Sequence, residues 1–145
     1  MFLKVFLMGA CLIIMYQNLF AEFVNSGDSL QVYKDDALIY ASREKMLLPL
    51  IKYIEAYAAK YQQVTIFDKI VGNAAALLLV LADCHQVYSP LASESALKTL
   101  NEHGIVYQID RIVPYIEKPD TDQICPMEKM SLGKTPEAFY HLING

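Results

Sequence analysis

The chain alternates between stretches with the period of a strand and stretches with the period of a helix. Apolar and polar residues alternate on either side of Lys34-Asp35-Asp36, which predicts two short strands joined by a tight turn. Residues 47–61 then carry apolar side chains at helical spacing, and Pro49 falls in the first turn, where proline is tolerated. This part of the chain therefore predicts a hairpin followed by an amphipathic helix that packs on a sheet.

The middle of the chain predicts further strands separated by helices. Val64–Phe67 is a short β-branched and aromatic run, which is typical of a buried strand. Residues 69–82 are apolar on all sides, so they predict a central helix, and Asp68 stands where it could cap that helix. The next predicted elements are, in order, a strand at 86–88, a helix that begins after Ser93 and ends at Gly104, and a strand at 105–109.

The C-terminal part predicts a loop and a last helix. Residues 114–123 contain two prolines and two aspartates and are expected to form the loop. Thr135-Pro136-Glu137 combines a cap, a proline and an acidic first turn, which predicts a helix through Ile143. The whole order of elements predicts an α/β protein, a three-layer α/β/α sandwich around a mixed sheet.

Composition and charge narrow the class of protein. A chain of 145 residues with 54% apolar residues can close one hydrophobic core, so a single domain is expected. The net charge is −4 and the Lys and Arg residues are scattered, so the chain has no basic stripe that would bind phosphates. Nucleic acid is therefore not expected as a partner. The three cysteines have neither the number nor the spacing of a disulfide framework or a metal knuckle.

Residues 1–14 form an apolar leader that has more than one interpretation. The leader is similar to a signal peptide, and cleavage after Ala21 would then export the domain. It is shorter than the roughly 20 apolar residues that a bilayer requires, so no stable membrane span is expected. We favour an N-terminal extension or a start at Met15, because residues 19–24 fit a helix that cleavage would divide. The domain is assigned to 15–145 and the protein to the cytoplasm, with export as the alternative.

Four motifs occur in an order that resembles a known family. They are Asp68-Lys69-Ile70-Val71-Gly72-Asn73-Ala74-Ala75-Ala76-Leu77, Ser93-Glu94-Ser95-Ala96-Leu97, Val113-Pro114-Tyr115-Ile116 and Cys125-Pro126-Met127-Glu128. From about residue 15 to residue 143 the chain resembles the family called domain of unknown function 1893. The resemblance implies the cytidine-deaminase-like fold and no particular activity. It also implies an Asn-Arg pair shortly after residue 116, where this chain has Glu117-Lys118 instead.

The residues do not support a zinc deaminase. Such an enzyme needs a His or Cys two residues before a catalytic Glu at one helix start, and Pro-Cys-x-x-Cys at the next, because three ligands must hold the metal that activates water. The corresponding positions here are Asp68-Lys69 and the segment from Ser89 to Ser93. We therefore expect no metal site and no other cofactor.

A site without a metal is expected at the carboxyl ends of the strands, where two helix N-termini would open on the same side of the sheet. Asp68 and Ser93 would be either helix caps or members of this site. Lys69 would stand in a first turn, where a cation opposes the helix dipole, so it is a candidate for holding an anionic group. Gly72 is included among the ligand-binding positions.

Cys125 and Glu128 complete the set of candidate site residues. Cys125 precedes Pro126 and is predicted at a helix cap, where exposed amides would favour the thiolate, although it could equally be a small packed hydrophobe. Glu128 is either a solvated or capping carboxylate or an acid-base group.

Two functional hypotheses follow. In the first, the chain carries a small-molecule site in which Cys125 is a nucleophile or an acyl or sulfur carrier, Asp68 or Glu128 manages protons and Lys69 holds an anion. In the second, the chain is a non-catalytic ligand-binding or regulatory module. The ligand does not follow from the sequence, and the oligomeric state is left open, with a homo-oligomer compatible with it.

Overall fold

The order of elements follows the predicted alternation of strands and helices. The computed structural model describes residues 2–144, and the surroundings of the side chains from residue 9 onward. Within these residues it contains six helices and one sheet of five strands. The elements are α1 (Phe2–Val24), β1 (Leu30–Lys34), β2 (Ala37–Ser42), α2 (Leu48–Tyr57), β3 (Val64–Asp68), α3 (Asn73–Leu81), β4 (Cys84–Ser93), α4 (Glu94–Glu102), β5 (Val106–Val113), α5 (Pro126–Ser131) and α6 (Pro136–Asn144).

The sheet is mixed, as predicted, and its strands lie in the order β2-β1-β3-β4-β5. β1 pairs antiparallel with β2 and β3, whereas β3, β4 and β5 are parallel to one another. The predicted hairpin is confirmed, since β1 and β2 pair antiparallel on either side of the turn. Asp35 adopts a left-handed φ of 54° in this turn, a conformation that aspartate tolerates. The three parallel strands all end at one edge of the sheet.

Helices cover both faces of the sheet, so the protein has three layers. Successive residues of each inner strand point to opposite faces, as the period of two requires. One face carries α1, whose Tyr16, Phe20 and Phe23 pack on rings from β1, β3 and β4. The other face carries a mainly aliphatic core, with Tyr53 and Phe139 among its buried residues, to which α2, α3, α4 and α6 contribute. α3 is the central helix, with its residues 73–79 all buried.

Several boundaries differ from the prediction. α3 begins at Asn73 with Gly72 as its cap residue, so Asp68 does not cap it. The reason is that residues 69–72 extend the strand edge before the helix starts, and Val71 forms a parallel bridge with Ala92. β4 is longer than predicted because Pro90 is left out of its register with β5 without ending the strand.

α1 is one continuous helix from Phe2 to Val24, and it ends at the last residue of the helix predicted over 19–24. The predicted leader is therefore helical from residue 2 to residue 14, and Met1 lies outside the described residues. Ile13 and Ile14 are 54% and 58% exposed. Within the described part of the chain, no helix has both the length and the apolar composition that a membrane crossing needs.

Candidate functional site

A buried carboxylate joins three segments at the carboxyl end of the parallel strands. Glu128 lies on α5 with only 3% of its surface exposed. Its Oε1 accepts hydrogen bonds from the Asn73 backbone N–H (2.8 Å), the Ser93 hydroxyl (2.8 Å) and the Ser95 hydroxyl (2.6 Å). Its Oε2 accepts from the Ile116 backbone N–H at 2.8 Å. The carboxylate is therefore held by donors at the starts of α3 and α4 and in the loop after β5.

The buried side chain of Asn73 extends this network. Its Nδ2 donates to the carbonyl and the hydroxyl of Ser131, at 3.1 and 3.0 Å, and its Oδ1 accepts from the Thr99 hydroxyl. The Ser131 hydroxyl in turn donates to the Glu128 carbonyl at 2.7 Å. We call the side chains of Asn73, Ser93, Ser95, Thr99, Glu128 and Ser131 the polar network. Buried polar groups with complete hydrogen bonding hold one rigid arrangement.

Local sequence explains why this carboxylate is tolerated. Ser93 caps α4 by accepting from the Ala96 N–H, whereas α3 has no side-chain cap from its own N-cap residue. Glu128 supplies the missing acceptor and places its charge at the positive ends of two helices. Gly72 makes the approach possible, because a Cβ there would lie 3.0 Å from Glu128 Oε2 and 3.1 Å from Ile116 Cγ1.

A pocket of about 390 Å³ lies beside the polar network. Its walls are mainly apolar, and Ile116 belongs both to the pocket and to the set of donors that hold Glu128. Arg111 and Glu117 bring one charge of each sign to the wall. Neither forms an ion pair with any side chain in the described part of the chain. The lining residues are Ile70, Leu91, Arg111, Val113, Pro114, Tyr115, Ile116 and Glu117.

The structure brings Ser93, Gly72 and Glu128 together, three of the residues that the sequence marked for a site. Ser93 is the predicted cap of α4. The expectation that Glu128 is solvated is wrong, because this side chain is buried, while the capping alternative fits its hydrogen bond from Asn73.

Lys69 and Asp68 lie apart from that group. Lys69 precedes α3 instead of standing in its first turn, and its Nζ donates to the Ser26 carbonyl at 2.8 Å just beyond the end of α1. The same ammonium lies 4.7 Å from the centre of the Phe23 ring. Asp68 ends β3, and its Oδ1 accepts a long hydrogen bond of 3.5 Å from the Ile70 N–H. Burial raises the pKa of Asp68 to about 7.

Cys125 occupies the predicted cap position of α5, directly before Pro126, but its thiol caps no backbone amide. Its own N–H donates to the Ile116 carbonyl at 2.8 Å, which places it next to the pocket wall. Of the other cysteines, Cys84 is buried, and burial raises the pKa of its thiol, whereas Cys11 is exposed. No three His, Cys, Asp or Glu residues of the described chain lie close enough together to hold a metal ion.

Sequence reasoning missed most of the polar network and the charged wall of the pocket. Asn73 at the head of an otherwise apolar helix was the available signal, because a buried amide must find partners. Arg111 carried no such signal, since it looks like any exposed residue of a strand.

The fold and the site define an α/β domain with a mixed five-stranded sheet and a pocket at the ends of its parallel strands. The family profile described as domain of unknown function DUF1893 (TM1506) matches residues 18–144, and the chain belongs to this family. The crystal structure of a DUF1893 family protein, TM1506 from Thermotoga maritima, is similar, with a TM-score of 0.80 and 25% sequence identity. The match covers 92% of this chain and 88% of that one. No curated protein matches the chain. The comparisons supply architecture and no activity, and the function is unknown.

Proposed function

We propose that this protein is a small-molecule-binding module whose ligand occupies the pocket beside the polar network. The observation that carries the proposal is a pocket with apolar walls and two charges, Arg111 and Glu117, that have no ion-pair partner in the described chain. A volume of about 390 Å³ is in the range of pockets that bind small molecules. The rigid network behind Ile116 would keep one wall in place before a ligand arrives.

The ligand is a small organic anion with an apolar body. The apolar body would contact Ile70, Leu91 and Val113, and the anionic group would pair with the Arg111 guanidinium, whose planar donors suit carboxylates and phosphates. Glu117 on the same wall disfavours a second negative charge nearby. The proposal therefore specifies one anionic group on the ligand.

The fold assigned in this proposal is the cytidine-deaminase-like fold without its zinc. It is supported by the mixed sheet and by two helices whose starts meet at one point. The donor set at that point does not fit zinc, because it presents a backbone amide and two hydroxyls, and both oxygens of Glu128 already accept hydrogen bonds. No chemical step through a metal is assigned.

Three probes that share a benzyl group test the proposed ligand class. Benzyl phosphate, benzyl alcohol and benzylamine carry an anionic, a neutral and a cationic group on the same ring, and NMR titration reports binding at the amides of Tyr115 and Ile116. We expect benzyl phosphate to bind most tightly of the three. Arg111→Ala should weaken the binding of benzyl phosphate about tenfold, which is the effect of losing one charged pair with hydrogen bonds. Arg43→Ala is the control, because Arg43 is exposed and pairs with Asp28. Tighter binding of benzylamine, or no shift at these amides with any probe, would contradict the proposal.

A second candidate function, Cys125-dependent chemistry, is favoured by one specific contact. The hydrogen bond from the Cys125 N–H to the Ile116 carbonyl joins this residue to one that lines the pocket. If Cys125 is the reactive group, iodoacetamide should alkylate it faster than the exposed Cys11, with iodide as the leaving group, and benzyl phosphate should slow the reaction. Mass spectrometry of the intact protein and of Cys125→Ser measures both rates. Equal rates at the two thiols would remove this candidate and leave the binding module.

A further inference from the structure

Glu128 does more than satisfy the starts of two helices, because one of its oxygens reaches the pocket wall. Oε1 accepts only from α3, α4 and the cap of α4, whereas Oε2 accepts from the Ile116 N–H. Ile116 lines the pocket and lies in a loop whose neighbours, Tyr115 and Glu117, are exposed. The loop is otherwise attached to α5 through the Cys125 N–H, which donates to the Ile116 carbonyl.

We propose that Glu128 is a positioning residue of the pocket, whose carboxylate fixes Ile116 against the helix starts so that ligand affinity depends on this contact. The inference rests on the proposed ligand pocket. Its physical reason is that both polar groups of the Ile116 backbone are bound at α5, the N–H to Glu128 in the helix and the carbonyl to its N-cap residue Cys125. Releasing the N–H would free the wall to adopt several positions, and the ligand would have to order it again on binding.

The space around this contact agrees with a fixed position. A Cβ on Gly72 would meet Glu128 Oε2 at 3.0 Å and Ile116 Cγ1 at 3.1 Å, so the two groups are pressed against the same glycine. The backbone φ of Gly72 is −86°, which any residue can adopt, so the glycine is needed for space and not for conformation. Gly72→Ala would therefore displace the carboxylate and the wall while leaving every hydrogen-bonding group in the chain.

Two variants of the full-length protein test the inference. Glu128→Gln keeps the shape but offers an NH₂ group where one oxygen accepted, and Gly72→Ala keeps the carboxylate but crowds it. Gly9→Ala is the matched control, since a Cβ at Gly9 has nothing within 4 Å. Amide hydrogen exchange of Ile116 measures the contact, and titration with benzyl phosphate measures the pocket. We expect both Glu128→Gln and Gly72→Ala to speed amide exchange at Ile116 at least tenfold and to weaken the binding of benzyl phosphate about tenfold.

A rescue experiment separates positioning from general stability. In Glu128→Ala, added acetate should fill the vacated place, slow Ile116 exchange and restore part of the affinity for benzyl phosphate, while acetate should change neither quantity in Gly9→Ala. Unchanged Ile116 exchange in Glu128→Gln and Gly72→Ala, or faster exchange with unchanged affinity, overturns the inference and leaves the pocket standing. A wild-type protein that binds none of the three benzyl probes overturns the proposed function itself, before any variant is made.

Discussion

The helices on the two faces of the sheet are held by different kinds of interaction. On one face a single helix, α1, is held by rings: Phe67 lies within 5.1 to 6.3 Å, centre to centre, of five other aromatic rings. On the other face several helices enclose a mainly aliphatic core, which also contains the rings of Tyr53 and Phe139, and a buried polar network centred on Glu128. Ring packing is tolerant of small shifts, whereas hydrogen bonds to a buried carboxylate demand fixed distances. Substitutions on the first face should therefore change stability alone, whereas substitutions in the polar network should also change the geometry of the pocket.

The largest expected effect comes from removing the centre of the aromatic face. Phe67→Ala should lower the free energy of unfolding by about 3–5 kcal/mol, because it deletes a fully buried ring and leaves a cavity. Chemical denaturation measures the loss, with Leu38→Ala, at a half-exposed position, as the control within about 0.5 kcal/mol. Ile116 amide exchange under native conditions should stay slow. If it accelerates as much as in Glu128→Gln, the two faces are not independent.

On the polar face, Asn73→Ala should cost about 2–3 kcal/mol, because it removes the acceptor of the buried Thr99 hydroxyl and the donor to the Ser131 carbonyl and hydroxyl. Unlike Phe67→Ala, it should also speed exchange at Ile116, since Glu128 and Asn73 share Ser131 as a neighbour. Asn101→Ala is the control, because Asn101 is exposed and makes only a long hydrogen bond of 3.4 Å to Tyr107. A loss of stability with no change in exchange would restrict the network to a packing role.

The contact of Lys69 with the end of α1 should contribute less to stability than the residues above. Lys69→Met should cost about 1–2 kcal/mol, because it removes a cation from the end of α1 and from the face of the Phe23 ring. The control is Lys98→Met, since Lys98 is exposed on α4. Denaturation in low and high salt gives the measurement, and the difference between the two variants should persist in high salt, because Lys69 is part-buried. A difference that vanishes in salt would mean that the contact is a surface one.

The fold could be predicted from the sequence, and the site only in part. Periodicity and turn residues depend on neighbours in the chain, so the order of elements, the hairpin at Asp35 and the cap at Ser93 were within reach. The start of α3 was misplaced because Asp68 is a good cap by type, and only the bridge between Val71 and Ala92 shows that the strand edge continues. Lys69 was assigned to an anion because its partner, the Ser26 carbonyl, lies 43 residues away in the chain.

The residues of the pocket and of the polar network could not be predicted for the same reason, because their contacts join distant parts of the chain. The burial of Glu128 depends on contacts with residues 55 and 35 positions earlier, Asn73 and Ser93, which no local pattern reveals. Arg111 and Glu117 were not expected at a common wall, because the wall forms only when β5 and the following loop fold beside Leu91. Local chemistry indicated the end of the sheet where the polar network and the pocket lie, whereas tertiary packing determines which residues form them.

The smallest expected effect is a dependence of stability on pH, which arises at Asp68, the last residue of β3. Burial raises the pKa of Asp68 from its ordinary value of 3.8 to about 7. Between these values the folded state binds more protons than the unfolded state, so the free energy of unfolding should fall as pH rises from 3.8 to about 7. Because the side chain keeps some contact with water, the fall should be on the order of 1 kcal/mol. Denaturation at a series of pH values measures this slope in the wild type and in Asp68→Asn, which should lack it, while Asp122→Asn, in an exposed loop, should keep it. Because the Asp68 side chain forms no hydrogen bond with the polar network, Ile116 exchange should be the same at both ends of the interval once corrected for intrinsic rates. A slope that survives in Asp68→Asn would assign the titration to another group.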